Sequence, residues 1–264
     1  MRERYRITVA YDGTEYSGWQ LQDGANTIEG VLNRELSRLL KQEIRVIGAS
    51  RTDAGVHSLG NIAVFDAETS IPAEKICYAL NPFLPEDIVV TSSRRVDADY
   101  HPRRVESKKT YMYKILHSTF AMPTLKNDTL FLHGRLDVEL MREAAKHFVG
   151  EHDFVSFCAA GSTAETTVRT VYSSEVIRER AEGMIFPGNP GNAYSGAELI
   201  KIIVSGNGFL YNMVRIIAGT LIEVGRGRIA PDGIPDIINA RDRAKAGPTA
   251  PALGLTHIGT EEEV

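Results

Sequence analysis

The chain is poor in cysteine and tryptophan: Cys77, Cys158 and a single Trp stand among its 264 residues. Two cysteines so far apart cannot brace a disulfide-rich scaffold and lie at no zinc-ligand spacing, so neither a disulfide framework nor a metal centre is expected. No apolar run approaches the about 18 residues of a membrane-spanning helix. Residues 1–12 alternate charged and apolar types and lack the apolar block of a signal peptide, so the expected address is the cytoplasm. Positive charge is not in excess either: 30 Lys and Arg face 34 Asp and Glu, a net charge of −4. That balance argues against general coating of nucleic acid but leaves local patches open. What is present, 43% hydrophobic and 24% charged residues, is an ordinary globular composition in a chain long enough to bury a core unaided.

Residues 5–11 alternate in the manner of a strand ending at the Asp12-Gly13 turn. Asn26 followed by Glu29 has the form of a helix cap, ahead of Ile28, Val31, Leu32, Leu36, Leu39 and Leu40 on one helical face. Strands are expected at 44–49 and 61–66, with a turn at 51–57 between them. Pro72 opens a helix ending near Leu80, and 87–96 reads as a strand. The same grammar returns with a strand at 110–116 and a helix at 137–149, between the cap Asp137 and the stop Gly150. Strands near 167–177 and 199–205 and a long helix at 209–224 follow. Residues 186–196, rich in Gly, Pro and Asn, read as an exposed hairpin tip or loop. The expected fold is α+β: two split β-α-β halves, ferredoxin-like or RRM-like. Their mainly antiparallel sheets are expected to join into one mixed sheet with helices on one side. A boundary near 97–106 gives domains 1–105 and 106–264.

The densest polar constellation runs from Gly48 to His57. Lying between two apolar strands, it carries Arg51, Asp53 and His57 to the end of a sheet. Asp and Gly serve turns there as readily as chemistry, but an Arg, an Asp and a His within seven residues exceed what a turn needs. One carboxylate can act as nucleophile or base, and an Arg can hold it ionised or bind phosphate. His57 by itself reads as a hydrogen-bonded structural histidine. No second acid lies nearby, which argues against a glycoside hydrolase. A second constellation, 207–215, opens the long helix; Arg215 sits one residue from the stripe Leu210, Val214, Ile217 and Leu221, where a guanidinium snorkels or needs an acid partner. The third, 94–114, holds seven basic and three acidic residues with Tyr100, Tyr111 and Tyr113 interleaved. Such a run is a solvated surface or a nucleic-acid footprint.

Tyr11-Asp12-Gly13-Thr14, followed by Gly18-Trp19-Gln20, resembles the opening of the tRNA pseudouridine synthase A family. Arg51-Thr52-Asp53-Ala54-Gly55-Val56-His57 resembles that family's catalytic signature. Asn81-Pro82 through Leu84-Pro85-Glu86-Asp87-Ile88, Tyr111-Met112-Tyr113, His152-Asp153-Phe154, Phe209-Leu210 through Met213-Val214-Arg215, and Gly254-Leu255 continue the match in family order across nearly the whole chain. Ser58, Asn212 and Thr256 depart from it, at positions where Ala, His and a bulkier residue are more usual.

The resemblance implies isomerisation of uridine to pseudouridine in the anticodon stem-loop of tRNA, at positions 38, 39 and 40, by a homodimer using no metal or cofactor. It implies that Asp53 is the catalytic nucleophile or base, with Arg215 as its cation, and that the uridine leaves its stack first. Arg51 would hold the backbone or fill the gap, Tyr111 would stack on the uracil and Leu255 would pack beside it. Arg103, Arg104, Lys108 and Lys109 would contact phosphates. In a strand Tyr111 and Tyr113 share a face, so geometry leaves the choice between them open; the resemblance favours Tyr111. A non-catalytic RNA-binding module would leave Arg51, Asp53 and Arg215 without a task.

Overall fold

Alternate residues Tyr5, Ile7, Val9 and Tyr11 of the first strand, β1 (Glu3–Tyr11), are buried while their neighbours are not, the period of a sheet with one covered face. The computed structural model describes residues 2–181, 194 and 196–262. The chain divides into two compact units: Met1–Ser107 with Thr256–Val264, and Lys108–Leu255. Beside the sequence boundary near residue 105, this division returns the last nine residues to the first unit.

In the first unit, β1 lies between β3 (His57–Ala67) and β4 (Ile88–Val96), antiparallel to both. The short β2 (Ile47–Gly48) pairs the far end of β3, and β10 (Leu255–Glu262) runs parallel to its start through Thr256 and His57. The order β4-β1-β3-β2 is that of a split β-α-β sandwich. Helices α1 (Ile28–Leu40) and α2 (Ile76–Leu80) cover one face, where Val31, Leu32, Leu36 and Leu80 join Ile7, Val9, Phe65 and Val90 in one core.

Two local expectations are corrected here. The cap of α1 is Thr27, extended at φ −134°, whose Oγ1 accepts from the Gly30 amide at 3.2 Å. Asn26 instead donates to the Glu15 carbonyl, and Glu29 accepts from the Leu21 amide. Of the strand expected over 44–49, only Ile47 and Gly48 pair. Side chains of α1 take the preceding amides, Ser37 from Ile44 at 2.9 Å and Asn33 from Val46 at 2.7 Å, so the backbone is satisfied without a ladder.

The second unit is again a mainly antiparallel sheet backed by helices, but in a different strand order. Strand β5 (Ser107–His117) pairs β9 (Glu198–Gly206), which pairs β8 (Val168–Arg180), all antiparallel. Strand β7 (Gly150–Asp153) continues beyond β8, and β6 (Leu130–Leu132) runs parallel to the end of β5. The order is β5-β9-β8-β7, with the last strand, β9, between β5 and β8 where the first unit centres its first strand. Helix α3 (Val138–Lys146) packs on β8 and on α4 (Met213–Gly225), and α5 (Ile234–Ala240) follows. Asp137 caps α3 as expected, accepting from the Glu139 and Leu140 amides. The helix ends at Lys146, three residues short of Val149, because the next amides tighten onto carbonyls three residues back. Helix α4 begins at Met213, not Phe209, because Asn212 is left-handed at φ 59° and cannot sit inside a helix. Except for Tyr194 and Gly196, the expected loop 186–196 lies outside the described residues. Among the described residues no helix is long and apolar enough to cross a membrane.

Candidate active site

Residues 49–56 leave β2 and re-enter the sheet at β3, and backbone contacts hold them at both ends. The Asn61 side chain, fully buried on β3, accepts from the Ser50 amide at 3.2 Å and donates to the Ser50 carbonyl at 2.9 Å. In the middle, the Thr52 carbonyl accepts from the Trp19 amide at 3.0 Å and the Thr52 hydroxyl meets that of Tyr11 at 2.7 Å. Gly18, at φ +88°, passes so near that a Cβ would come 2.5 Å from the Thr52 carbonyl oxygen. The motif 11–20 is therefore the cradle of the loop 49–56, which explains two glycine-bearing motifs 30 or more residues apart. At the apex the Val56 amide bonds back to the Asp53 carbonyl at 3.1 Å, with Gly55 at φ +76°. Asp53 thus stands at the start of a closed turn, half-buried.

His57 closes the loop onto the turn after β1. Its Nδ1 accepts from the Gly13 amide at 3.1 Å and lies 3.0 Å from Asp12 Oδ1. A neutral ring accepts from Gly13, whereas a protonated Nδ1 donates to Asp12. Burial raises the Asp12 carboxyl, but the Thr14 hydroxyl and amide, together with His57, outweigh it and hold that carboxyl below its usual range. His57 is hydrogen-bonded, as the sequence reading expects; that reading missed the Asn61 clasp, for which the sequence carries no local signal.

Arg51 is exposed, with Nη1 3.5 Å from Gln20 Oε1. Arg103 comes to the same loop: its Nε donates to the Gly48 carbonyl at 2.8 Å, and burial, reinforced by Arg51, lowers its pKa. Two guanidiniums that repel one another beside Asp53's loop form an anion-seeking edge. The basic run is dispersed in the structure. Arg94 pairs with Glu262 and Arg95 with Glu3, Lys114 is bonded to Asp128, Arg104 is exposed, and Lys108 and Lys109 lie half-buried on β5.

In the second unit Tyr111 and Tyr113 share the buried face of β5, as strand period requires. Tyr113 is fully buried and donates to the Pro251 carbonyl at 2.9 Å. Tyr111, at 9% exposure, meets the Phe209 ring edge-on at 5.2 Å. Gly254 lies against the Tyr113 ring, and Leu255, buried, follows at the start of β10. Arg215, in the first turn of α4, donates from Nε to the Ala250 carbonyl at 2.8 Å and from Nη1 to Asn212 Oδ1 at 2.6 Å. The left-handed Asn212 makes no cap bond and instead orients that guanidinium.

Comparison with known proteins bears on this chemistry. The family model described as tRNA pseudouridine synthase matches residues 7–103 and 144–260. A tRNA pseudouridine synthase A of Ruminiclostridium cellulolyticum is 44% identical over 252 residues, 96% of each chain. One of Thermoanaerobacter sp. strain X514 is 45% identical over 249 residues, 94% of this chain and 95% of its own. A tRNA pseudouridine synthase A 2 of Clostridium tetani is 43% identical over 257 residues, 97% of each.

Proposed function

Given that the chain belongs to the tRNA pseudouridine synthase family, an isomerase acting on RNA, we propose that it converts uridine in the anticodon stem-loop of tRNA, at positions 38, 39 and 40, with Asp53 as the acting carboxylate. The observation that carries this reading is the turn at Asp53, anchored by Asn61, Thr52 and His57, which presents one carboxylate on the loop that also carries Arg51 and follows the Gly48 carbonyl held by Arg103. An aspartate of ordinary pKa, about 3.9, is already ionised at neutral pH. The reaction breaks the N1–C1′ bond and rejoins the same ring to C1′ through C5; the C5 proton passes to solvent and N1 takes up a proton in its place. One carboxylate and a closed site suffice for it.

The uridine must leave its stack for the carboxylate to reach it. Arg51 holds the displaced backbone or fills the gap, with Arg103 steadying the loop through Gly48. Tyr111 stacks on the uracil and Leu255 packs beside it. Arg215, oriented by Asn212 and Ala250, serves as the cation that keeps Asp53 ionised. Arg104, Lys108 and Lys109 contact phosphates together with Arg103. The enzyme works as a cytoplasmic homodimer on one tRNA and takes no cofactor.

The test follows tritium release from tRNA transcript labelled at uridine C5. Release with the RNA chain intact supports the reading, whereas cleavage or free base removes it. Asp53→Asn should abolish release while changing tRNA affinity by less than about tenfold.

A further inference from the structure

We propose that an open cavity of the second unit, walled by Phe131, Leu132, His133, Arg135, Arg226 and Arg228, is a phosphate-binding site for the backbone of the substrate tRNA. The proposal rests on tRNA being the substrate and adds a site remote in sequence from residues 48–57 and 94–114.

The cavity measures about 550 Å³ and has two walls of separate origin. One is the chain from β6 towards α3, the other the end of α4. The Asp137 amide donates to the Gly225 carbonyl at 2.8 Å, and a Cβ on Gly225 would come 2.7 Å from Leu136, so the walls are fixed in register. His117 Nε2 bonds the Gly134 carbonyl at 2.7 Å and holds the turn, at φ +85°, that carries Arg135.

The charge on these walls is unbalanced. Glu223 accepts from Arg226 at 3.2 Å and from Arg228 at 2.8 Å. Arg135 makes no hydrogen bond or ion pair with any described residue. Of the three guanidiniums on this cavity, two therefore share one carboxylate and the third has no acidic partner among the described residues.

A helix C-terminus attracts cations, which accounts for Arg226 and Arg228. It does not account for Arg135, which comes from another element. The last carbonyls of α4 are moreover already capped, by the Arg226, Gly227 and Arg228 amides. Like charges gathered on one cavity and left short of counter-charge are relieved by an anion. Guanidinium forks match the oxygens of a phosphodiester. His133, exposed beside them against the Phe131 ring at 6.2 Å, offers a further donor.

The experiment compares the full chain with Arg135→Gln, Arg135→Lys and Arg135→Gln/Arg228→Gln. Anisotropy of labelled, unmodified tRNA gives the log–log salt slope, steady-state tritium release gives KM and kcat, and inorganic phosphate is titrated separately. Each lost phosphate contact should make the slope shallower by about 0.7–0.9. The double variant should bind tRNA roughly tenfold more weakly, with KM raised and kcat at saturation unchanged; Arg135→Lys should keep most of the slope. Arg135 is exposed and Arg135→Gln alone breaks no hydrogen bond or ion pair with a described residue, so its slope is decisive if the double variant unfolds. Parental slope and KM in that single variant would overturn the proposal. So would loss of inorganic phosphate binding with the tRNA slope intact, which would mark a site for a free anion. Failure of the isomerase reading would show differently, as no tritium release from the parent protein.

Discussion

The side-chain amide of Asn61 exchanges two hydrogen bonds with the backbone of Ser50, at 3.2 and 2.9 Å, and thereby does for the loop what a ladder pair does for a strand. Asn61 is fully buried and Ser50 nearly so. Asn61→Ala would leave the Ser50 amide and carbonyl unsatisfied, a loss of about 1–3 kcal/mol. Because the clasp positions Asp53's loop without touching RNA, kcat should fall more than KM rises. Urea unfolding with steady-state kinetics measures both, and a parental kcat would show that the loop does not depend on this clasp.

The proposed ion pair of Asp53 and Arg215 calls for a double-mutant cycle. Asp53→Asn, Arg215→Gln and the double variant should show a coupling in stability of about 0.5–3 kcal/mol, the range for residues in contact. Arg215→Lys should keep part of the activity, since the charge remains while the fork that Asn212 and Ala250 orient does not. Additive stabilities would leave Arg215 as an arginine held by its own helix end.

Gly254 is required by the Tyr113 ring. A Cβ there would come 2.7 Å from Tyr113 Cζ and 2.9 Å from the Lys114 carbonyl oxygen. The fully buried ring cannot retreat, so Gly254→Ala should cost about 1–3 kcal/mol through overpacking. Adding Tyr113→Leu should recover part of that loss but not all, because the carbonyl stays. Denaturation midpoints of the single and double variants decide it.

Alkaline pH should weaken the first unit through Tyr100. Burial, then the bond its hydroxyl donates to Glu262, pushes this phenol up to about 12, against about 10 in an unfolded chain. The fold favours the neutral phenol, so its contribution is whole below pH about 10 and is lost as pH climbs through about 12. Tyr16, raised by burial and by Asp87, shifts the same way in the same unit, and Tyr113, raised by burial, does so in the second unit. Tyr100→Phe should make stability fall less steeply over that window, as read from urea midpoints at stepped pH. An unchanged slope would mean that Tyr100 does not titrate with unfolding.

The three departures from the family pattern are accommodated in different ways. Ser58 Oγ reaches His257 Nδ1 at 3.1 Å, 199 positions along the chain. Asn212 holds Arg215, and Thr256 is buried where β10 meets β3. The Asn212 contact is local, three residues along the chain, whereas the partner of Ser58 and the burial of Thr256 come from distant parts of the sequence.

Strand and helix periods, the Asp137 cap and the ordered motifs were legible in the sequence, because backbone period and turn conformation are set by residues within a few positions of one another. The family likewise follows from the sequence, since its motifs are contiguous. Tertiary structure alone decided that Asn26 turns to the Glu15 carbonyl and leaves the cap of α1 to Thr27, that Ser37 and Asn33 replace most of a strand, and that Arg103 reaches back to Gly48. It alone placed Arg135 on the cavity of Arg226 and Arg228. These depend on which distant polar groups burial brings within hydrogen-bond reach once water is excluded, and a buried polar group takes whatever partner the packed chain supplies.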